Sequence, residues 1–219
     1  ASTLDSAAQV AAPVLVERRG AVAWLTLNRP GSANTIDAPL ARAFREAVEN
    51  LDADPSVRVL VLAGAGKMFC AGGDLTSFAR DADRAADYVE GLIADLHAAL
   101  KRLAIFHAPV ISAVHGAAAG AGLGLALAAD LVVVEEGSRF VMAYPAAGLT
   151  PDGGTSWALS RAVGLRRALA LTLLNRPVEA AEALELGLAT EVVPKGRLDA
   201  RVAALAETLA VGPTAAFVE

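Results

Sequence analysis

A chain of 219 residues that is 55% hydrophobic and 20% charged has enough apolar side chain for one large core and is excluded from the disordered class. Nineteen Lys and Arg face 24 Asp and Glu, a net charge of −5 with no long run of either sign, so the basic stripe of a nucleic-acid binder is missing. The single cysteine, Cys70, forms no internal disulfide, and His97, His107 and His115 show no metal-ligand spacing with it; both points argue for a reducing, cytoplasmic setting and against a metal site.

Along the chain, residues 1–13 are rich in Ala, Ser and Thr and lack the basic flank and apolar block of a secretory signal, which predicts a flexible N-terminal arm. The β-branched runs 14–18 and 22–28 flank Arg19-Gly20 and predict a hairpin. Pro, Gly, Ser and Asn within 29–34 require a loop. Asp37 is then placed to cap a helix with apolar residues at Leu40, Phe44, Val48 and Leu51. The unbroken Val/Leu run 57–63 predicts a strand buried on both faces, and 64–73 a loop. An amphipathic helix is expected over 85–103, with Tyr88, Leu92, Leu96, Leu100 and Leu103 on one side.

Residues 104–129 carry no Asp, Glu, Lys or Arg, and the run is long enough to span a bilayer. Pro109, His115 and glycines 116, 120, 122 and 124 break it, however, and β-branched blocks flank its Ala/Gly/Leu centre. The pattern predicts strand 110–114, helix 120–129 and strand 131–134 inside a soluble core, with no membrane partner. Helices are expected over 155–162, 165–174, 180–186 and 198–210. Strands alternating with helices predict an α/β core over 14–160, followed by a helical region over 161–219.

Several chemistries fail on the residues. After Gly120 and Gly122 the third glycine of a dinucleotide fingerprint is Leu125, and Lys67, behind Gly64-Ala65-Gly66, is followed by Met68 instead of Ser or Thr. No serine sits in a Gly-x-Ser-x-Gly elbow. Spacing alone leaves a Cys70–His pair open, although a lone cysteine in an apolar loop is more often inert packing. What survives is a site made of backbone. The run His115-Gly116-Ala117-Ala118-Ala119-Gly120-Ala121-Gly122 carries nothing larger than a methyl after His115. A helix start there leaves N–H groups unpaired, and Ala71-Gly72-Gly73 could present another from the opposite side. Two such donors make an oxyanion hole suited to a thioester enolate. Glycines 116, 120 and 124, four apart, equally suit close packing of a helix.

Over about residues 14–213 the chain resembles the crotonase superfamily, the enoyl-coenzyme A (CoA) hydratase/isomerase family. The resemblance is carried by Asn28-Arg29-Pro30, Phe69-Cys70-Ala71-Gly72-Gly73-Asp74-Leu75, the run 115–122, and Gly148-Leu149-Thr150-Pro151-Asp152-Gly153-Gly154-Thr155. It implies an α/β, crotonase-like fold of repeated ββα units with a C-terminal helical trimerisation region, hence a homotrimer or dimer of trimers. It also implies acyl-CoA thioester substrates, no metal and no cofactor beyond the CoA carried by the substrate. Residue by residue, the oxyanion N–H groups fall on Gly73 and Ala121, and Ala33 and Ala71 to Leu75 fall in the loops that receive adenine and pantetheine. Asp74 there is either a contact or a loop-shaping carboxylate, and Asp130 matches a structural position. The chain ends at Glu219, short of the family's usual length, so the final helices that help close the acyl pocket are expected beyond it.

Two departures bear on the reaction. The family's hydratases use two glutamates, which correspond here to Gly124 and Tyr144. Tyr144 is expected to wall the acyl pocket or to stack on an aryl acyl group. Enoyl isomerases and a haloaryl-thioester dehalogenase place a carboxylate where Asp152 stands. The resemblance thus implies isomerisation of 3-enoyl-CoA to 2-enoyl-CoA with Asp152 as the one acid/base. Its alternatives are hydration, thioester hydrolysis, decarboxylation or dehalogenation, or weakly catalytic acyl-CoA binding. Taken by itself, Asp152 also suits a cap for the helix from Thr155.

Overall fold

The computed structural model describes residues 12–78 and 85–218, so the expected arm lies outside the described residues apart from its last two. Strands β1 (Val14–Arg19) and β2 (Val22–Leu27) form the expected antiparallel hairpin. Helix α1 (Ala38–Asp52) begins where Asp37 Oδ1 accepts the Leu40 N–H at 2.9 Å, and it buries Leu40, Phe44, Val48 and Leu51. Strand β3 (Val59–Gly64) follows, then the four-residue α2 (Leu75–Phe78) and the long α3 (Ala85–Leu103). The apolar run resolves into β4 (Val110–Val114), β5 (Ala117–Ala119), α4 (Ala121–Leu127) and β6 (Leu131–Glu135). No helix among the described residues is long and apolar enough to cross a membrane.

After β7 (Arg139–Val141) come α5 (Thr155–Val163), α6 (Leu165–Leu174), β8 (Val178–Glu179), α7 (Ala180–Leu186), β9 (Glu191–Val193), α8 (Leu198–Ala210) and α9 (Thr214–Val218). The large sheet has six strands in the order β1-β2-β3-β4-β6-β9, parallel throughout except for the hairpin. A small sheet, β5-β7-β8, stands beside it. The ββα unit recurs as β1–β2–α1, β4–β5–α4 and β6–β7–α5. In the last two units the first strand enters the large sheet and the second the small one.

Period-two alternation sorts the large sheet's side chains into two cores. Leu25, Leu60, Leu62, Val110 and Val132 cluster with α1 and α3 residues, while Trp24, Val59, Val61, Ile111 and Val133 cluster with Leu198, Val202 and Ala206 of α8. Each buried Leu or Val of α8 contributes roughly 1.5–3 kcal/mol. The region 161–219, read from sequence as helical, therefore supplies both β9 at the sheet's edge and the helix that covers one face. β8 and β9, at two and three residues, are too short to show a periodicity, as are β5 and β7.

Candidate active site

The loop after β3 is stitched to the molecule along both edges. On one side Phe69 N–H donates to His115 O at 2.9 Å, Cys70 N–H to Ala117 O at 3.1 Å, and Ala119 N–H to Cys70 O at 2.9 Å. On the other, Ala71 N–H donates to Ala33 O at 3.0 Å, Ile36 N–H to Gly72 O at 2.8 Å, and Asp74 N–H to Ile36 O at 2.9 Å. In this parallel bridge Ile36 uses the neighbours of Gly73, which leaves Gly73's own N–H on the opposite edge. That N–H has no acceptor among the described residues.

Asn34, wholly buried, locks the loop from beneath. Its amide donates to Ala65 O, Met68 O and Phe69 O at 2.8, 2.9 and 3.1 Å, and its Oδ1 accepts the Arg29 N–H at 2.8 Å. Arg29 reaches Asp37 Oδ2 at 2.9 Å and Asp74 Oδ2 at 3.2 Å and also donates to Thr35 O. Burial works to raise the Asp74 carboxyl, but the Ser77 N–H and hydroxyl and the Arg29 guanidinium outweigh it and hold it below the usual carboxylate range.

The free Gly73 N–H borders a cavity of about 240 Å³. Its apolar wall is a stripe of α3, namely Val89, Leu92, Ile93 and Leu96, at the spacing of one helical face. Leu75 and Leu149, both about half exposed, stand at its rim. Across from α3, Gly120 and Ala121 complete the wall. Gly120 takes φ 52° and ψ −122°, a conformation that needs glycine, and turns the chain into α4. The Ala121 N–H at the helix start has no acceptor among the described residues, as expected of a first-turn amide. Gly72 is equally constrained: its φ is +100°, and a Cβ there would lie 2.9 Å from Ala119 O and 3.6 Å from Ala121 N. Gly124 serves packing instead. A Cβ there would meet Gly153 O and Thr155 Oγ1 at 2.6 Å each, so the Gly153 carbonyl and the Thr155 side chain fill the space a glutamate side chain would need.

Asp152 is half-buried in the cavity wall beside Tyr144. The Tyr144 hydroxyl donates to Asp152 Oδ1 at 2.7 Å. Burial and the adjoining carboxylate push the Tyr144 phenol well above its ordinary value, so it stays protonated. The helix cap that Asp152 suits in sequence does not form. Gly154 precedes α5 without a side-chain cap, and it is the Asp152 carbonyl that accepts the Thr155 N–H at 2.9 Å. A second tether comes from α3, where His97 Nε2 accepts the Gly153 N–H at 3.2 Å.

The cavity thus gathers Ala71, Gly73, Leu75, Ala121, Tyr144 and Asp152 from the sequence reading, while Ala33 and Asp74 stand outside it. Ala33 shapes the loop through its carbonyl, and the Asp74 carboxylate is turned to Arg29 and Ser77, the loop-shaping alternative. Asp130 accepts the Val110 N–H at 2.8 Å, a structural contact. Cys70 is fully buried, its S–H directed at Asn34 O at 3.1 Å, and burial pushes the thiol up to about 12, which removes it as a nucleophile. No group of three or more His, Cys, Asp or Glu placed to hold a metal occurs among the described residues. Asn34, Arg29 and His97 had no role in the sequence reading. The one signal there was Asn28-Arg29-Pro30, whose arginine proves to pin the loop.

The sequence model of the enoyl-CoA hydratase/isomerase family matches residues 17–219. The chain is 39% identical over 196 residues to the 1,2-epoxyphenylacetyl-CoA isomerase of Escherichia coli (strain K12), covering 88% of this chain and 74% of that protein. It is 35% identical over 202 residues to 4-chlorobenzoyl coenzyme A dehalogenase-2 of an Arthrobacter species, covering 92% and 73%. Among solved structures, an enoyl-CoA hydratase from Mycobacterium avium subsp. paratuberculosis K-10 superposes with a TM-score of 0.86 at 34% identity, covering 94% of this chain and 82% of that one. Relatives named for different reactions share the fold, so the reaction has to be argued from the cavity.

Proposed function

The chain belongs to the enoyl-CoA hydratase/isomerase family, and on that premise we propose that it converts 3-enoyl-CoA thioesters to 2-enoyl-CoA thioesters, with Asp152 as the single acid/base. The observation that carries this reading is the composition of the cavity wall. Of the described residues that border it, Asp152 is the only carboxylate, and it shares the wall with the unpaired N–H groups of Gly73 and Ala121.

In this reading the thioester oxygen accepts from both N–H groups. The Asp152 carboxylate takes a proton from C2, the C–H electron pair moves into the C1–C2 bond, and the carbonyl pair moves onto oxygen. The resulting dienolate is held by the two donors, which act where charge develops. Asp152, now a carboxylic acid, delivers the same proton to C4, the carbonyl re-forms, and the double bond lies between C2 and C3. Substrate and product have the same composition, so neither water nor an oxidant is consumed. Coenzyme A enters only as part of the substrate. Water addition calls for protons to be placed by a second group, and the positions expected for it hold Gly124 and Tyr144.

Asp152→Asn tests the assignment against a panel of 3-enoyl-, 2-enoyl- and aryl-CoA thioesters. The fold is expected to survive, because the 152–155 turn uses the Asp152 carbonyl, and isomerisation is expected to fall about 10³-fold. Activity within tenfold of the parent, or parental hydration at a rate comparable to isomerisation, overturns the reading.

The family resemblance extends to assembly, for which a homotrimer or dimer of trimers is the reading. Trp157, Leu165, Leu173 and Leu174 of α5 and α6 are between 63% and 76% exposed, large apolar side chains that an interface between copies would cover. Light scattering at micromolar concentration is expected to give a trimer or hexamer, and a monomer contradicts it.

A further inference from the structure

Asp152 is a carboxylate with two chemically equal oxygens, and the structure treats them differently. Oδ1 accepts the Tyr144 hydroxyl at 2.7 Å, whereas Oδ2 has no partner among the described residues. A phenol has one proton to give. The other contacts of the Tyr144 oxygen, Asp152 O at 3.3 Å and Thr155 Oγ1 at 3.4 Å, are too long to compete for it. Tyr144 is itself immobilised. The residue is 6% exposed, its N–H donates to Met142 O at 2.7 Å, and its carbonyl accepts the Ala147 and Leu149 N–H groups at 3.0 and 2.9 Å. Just before it, Ala143 N–H donates to Asn175 Oδ1 at 2.8 Å. These bonds tie the ring's own backbone to the turn from Met142 to Leu149, and the phenol's bond to Oδ1 carries that hold across to Asp152.

We propose that Tyr144 is a positioning residue that anchors Oδ1, so that Oδ2 alone takes the proton from C2 and returns it to C4. The inference rests on the isomerase reading above and adds to it the device that makes one carboxylate sufficient. An unanchored carboxyl group rotates about its terminal torsion, which is broad and two-fold, and exchanges its proton with water between the two steps. An anchored one keeps the proton on the oxygen that faces the substrate. At the position where a second glutamate would serve water addition, the chain places a donor that no longer needs to move a proton itself.

The test uses Tyr144→Phe in the full chain with a 3-enoyl-CoA deuterated at C2, assayed in ordinary water. Turnover is expected to fall about tenfold, the scale of one hydrogen bond to a charged group, with KM changed less than threefold. The fraction of product carrying deuterium at C4 is expected to fall to half the parental value or less. A role confined to holding the loop lowers the folded fraction and leaves that ratio alone, so parental deuterium transfer in the variant overturns the proposal, as does a parent with no measurable transfer. Should Tyr144→Phe fail to fold, 3,5-difluorotyrosine at position 144 keeps the ring's shape and strengthens the donor. Transfer at or above the parental level is then expected, and a lower level overturns the proposal. Asp152→Asn in the same assay separates the two inferences. An active Asp152→Asn removes the base and the anchor's purpose together, whereas an inactive one beside a Tyr144→Phe enzyme with parental transfer overturns the role of Tyr144 alone.

Discussion

Two loops face the same cavity and are built in opposite ways. The 69–74 loop is bonded through its backbone to 115–119 on one side and 33–36 on the other, with Asn34 and Arg29 tying it from beneath. The 148–155 segment has three glycines with positive φ, an exposed Leu149 and Thr150, and two side-chain tethers, Tyr144 to Asp152 and His97 to Gly153. The contrast follows from what each is proposed to contribute. A backbone N–H has no rotamer of its own, so its aim is only as good as the skeleton around it. A carboxylate that serves two carbons in turn needs one fixed oxygen and one free one, and a single phenol supplies that.

Substitutions in the first loop should therefore act through the skeleton, and the largest effect is expected at Gly72. Alanine there meets Ala119 O and has to adopt a φ of +100°, so the loop shifts and the Gly73 N–H loses its aim. Turnover is expected to fall about 10²-fold, the scale of a lost oxyanion donor, and activity within threefold of the parent would mean that the donor lies elsewhere. Asn34→Ala comes next and reads out in stability. It strips the donors from three loop carbonyls, and its φ of 54° strains the alanine. A loss of about 3 kcal/mol is expected, lowering the melting temperature by roughly 6–12 °C; a shift under 2 °C would show that the loop is not held from beneath. In the second segment the pattern should invert. His97→Ala removes one half-buried hydrogen bond and is expected to cost about 1 kcal/mol of stability or less, yet to slow turnover three- to tenfold through misplacement of Asp152, an effect of the kind expected from small errors in geometry. A variant that melts early and turns over normally would erase the distinction between the loops.

Helices α1, α3, α6 and α8 follow the expected spans closely, because ten or more residues at a 3.6 period average out local noise. The Asp37 cap was legible for the same local reason. Even so, Tyr88, counted with the core face of α3, uses its hydroxyl to accept the Ala38 N–H at 3.0 Å. Gly73, Ala121 and Asp152, the proposed site residues, were singled out by motif resemblance. Glycine spacing could not find them, since Gly72 and Gly120 make turns while Gly124 makes room, and spacing does not tell these jobs apart. What stayed hidden depends on distant partners. Asn34 reads as a turn residue until the chain brings Ala65, Met68 and Phe69 over it, and His97 meets Gly153 across 56 positions. The Tyr144–Asp152 bond spans only eight positions, but it depends on a turn whose geometry residue types do not specify.

The smallest expected effect separates charge from shape in the first loop. Asp74 sits in the folded protein below its ordinary range: burial disfavours its charge, yet the Ser77 donors and the Arg29 guanidinium favour it more. A carboxyl group depressed on folding contributes stability that is fully present above its unfolded value, near 3.9, and lost as the pH falls through the folded value. Asp74→Asn keeps the size of the side chain and an oxygen for the Ser77 N–H, and Arg29 keeps Asp37 at 2.9 Å, so the loop should stay in place and turnover should change by twofold or less. At pH 7 the variant is expected to be less stable by about 1 kcal/mol, the scale of a single ion pair shielded from full solvent. Below pH 4 the difference should shrink, because the parent's own Asp74 is then losing the charge the variant never had. Chemical denaturation at pH 7, 5 and 3 measures this directly. A deficit that persists undiminished at pH 3 would assign the role of Asp74 to its shape and hydrogen bonds, and Arg29 would then hold the loop through Asp37 and Thr35 alone.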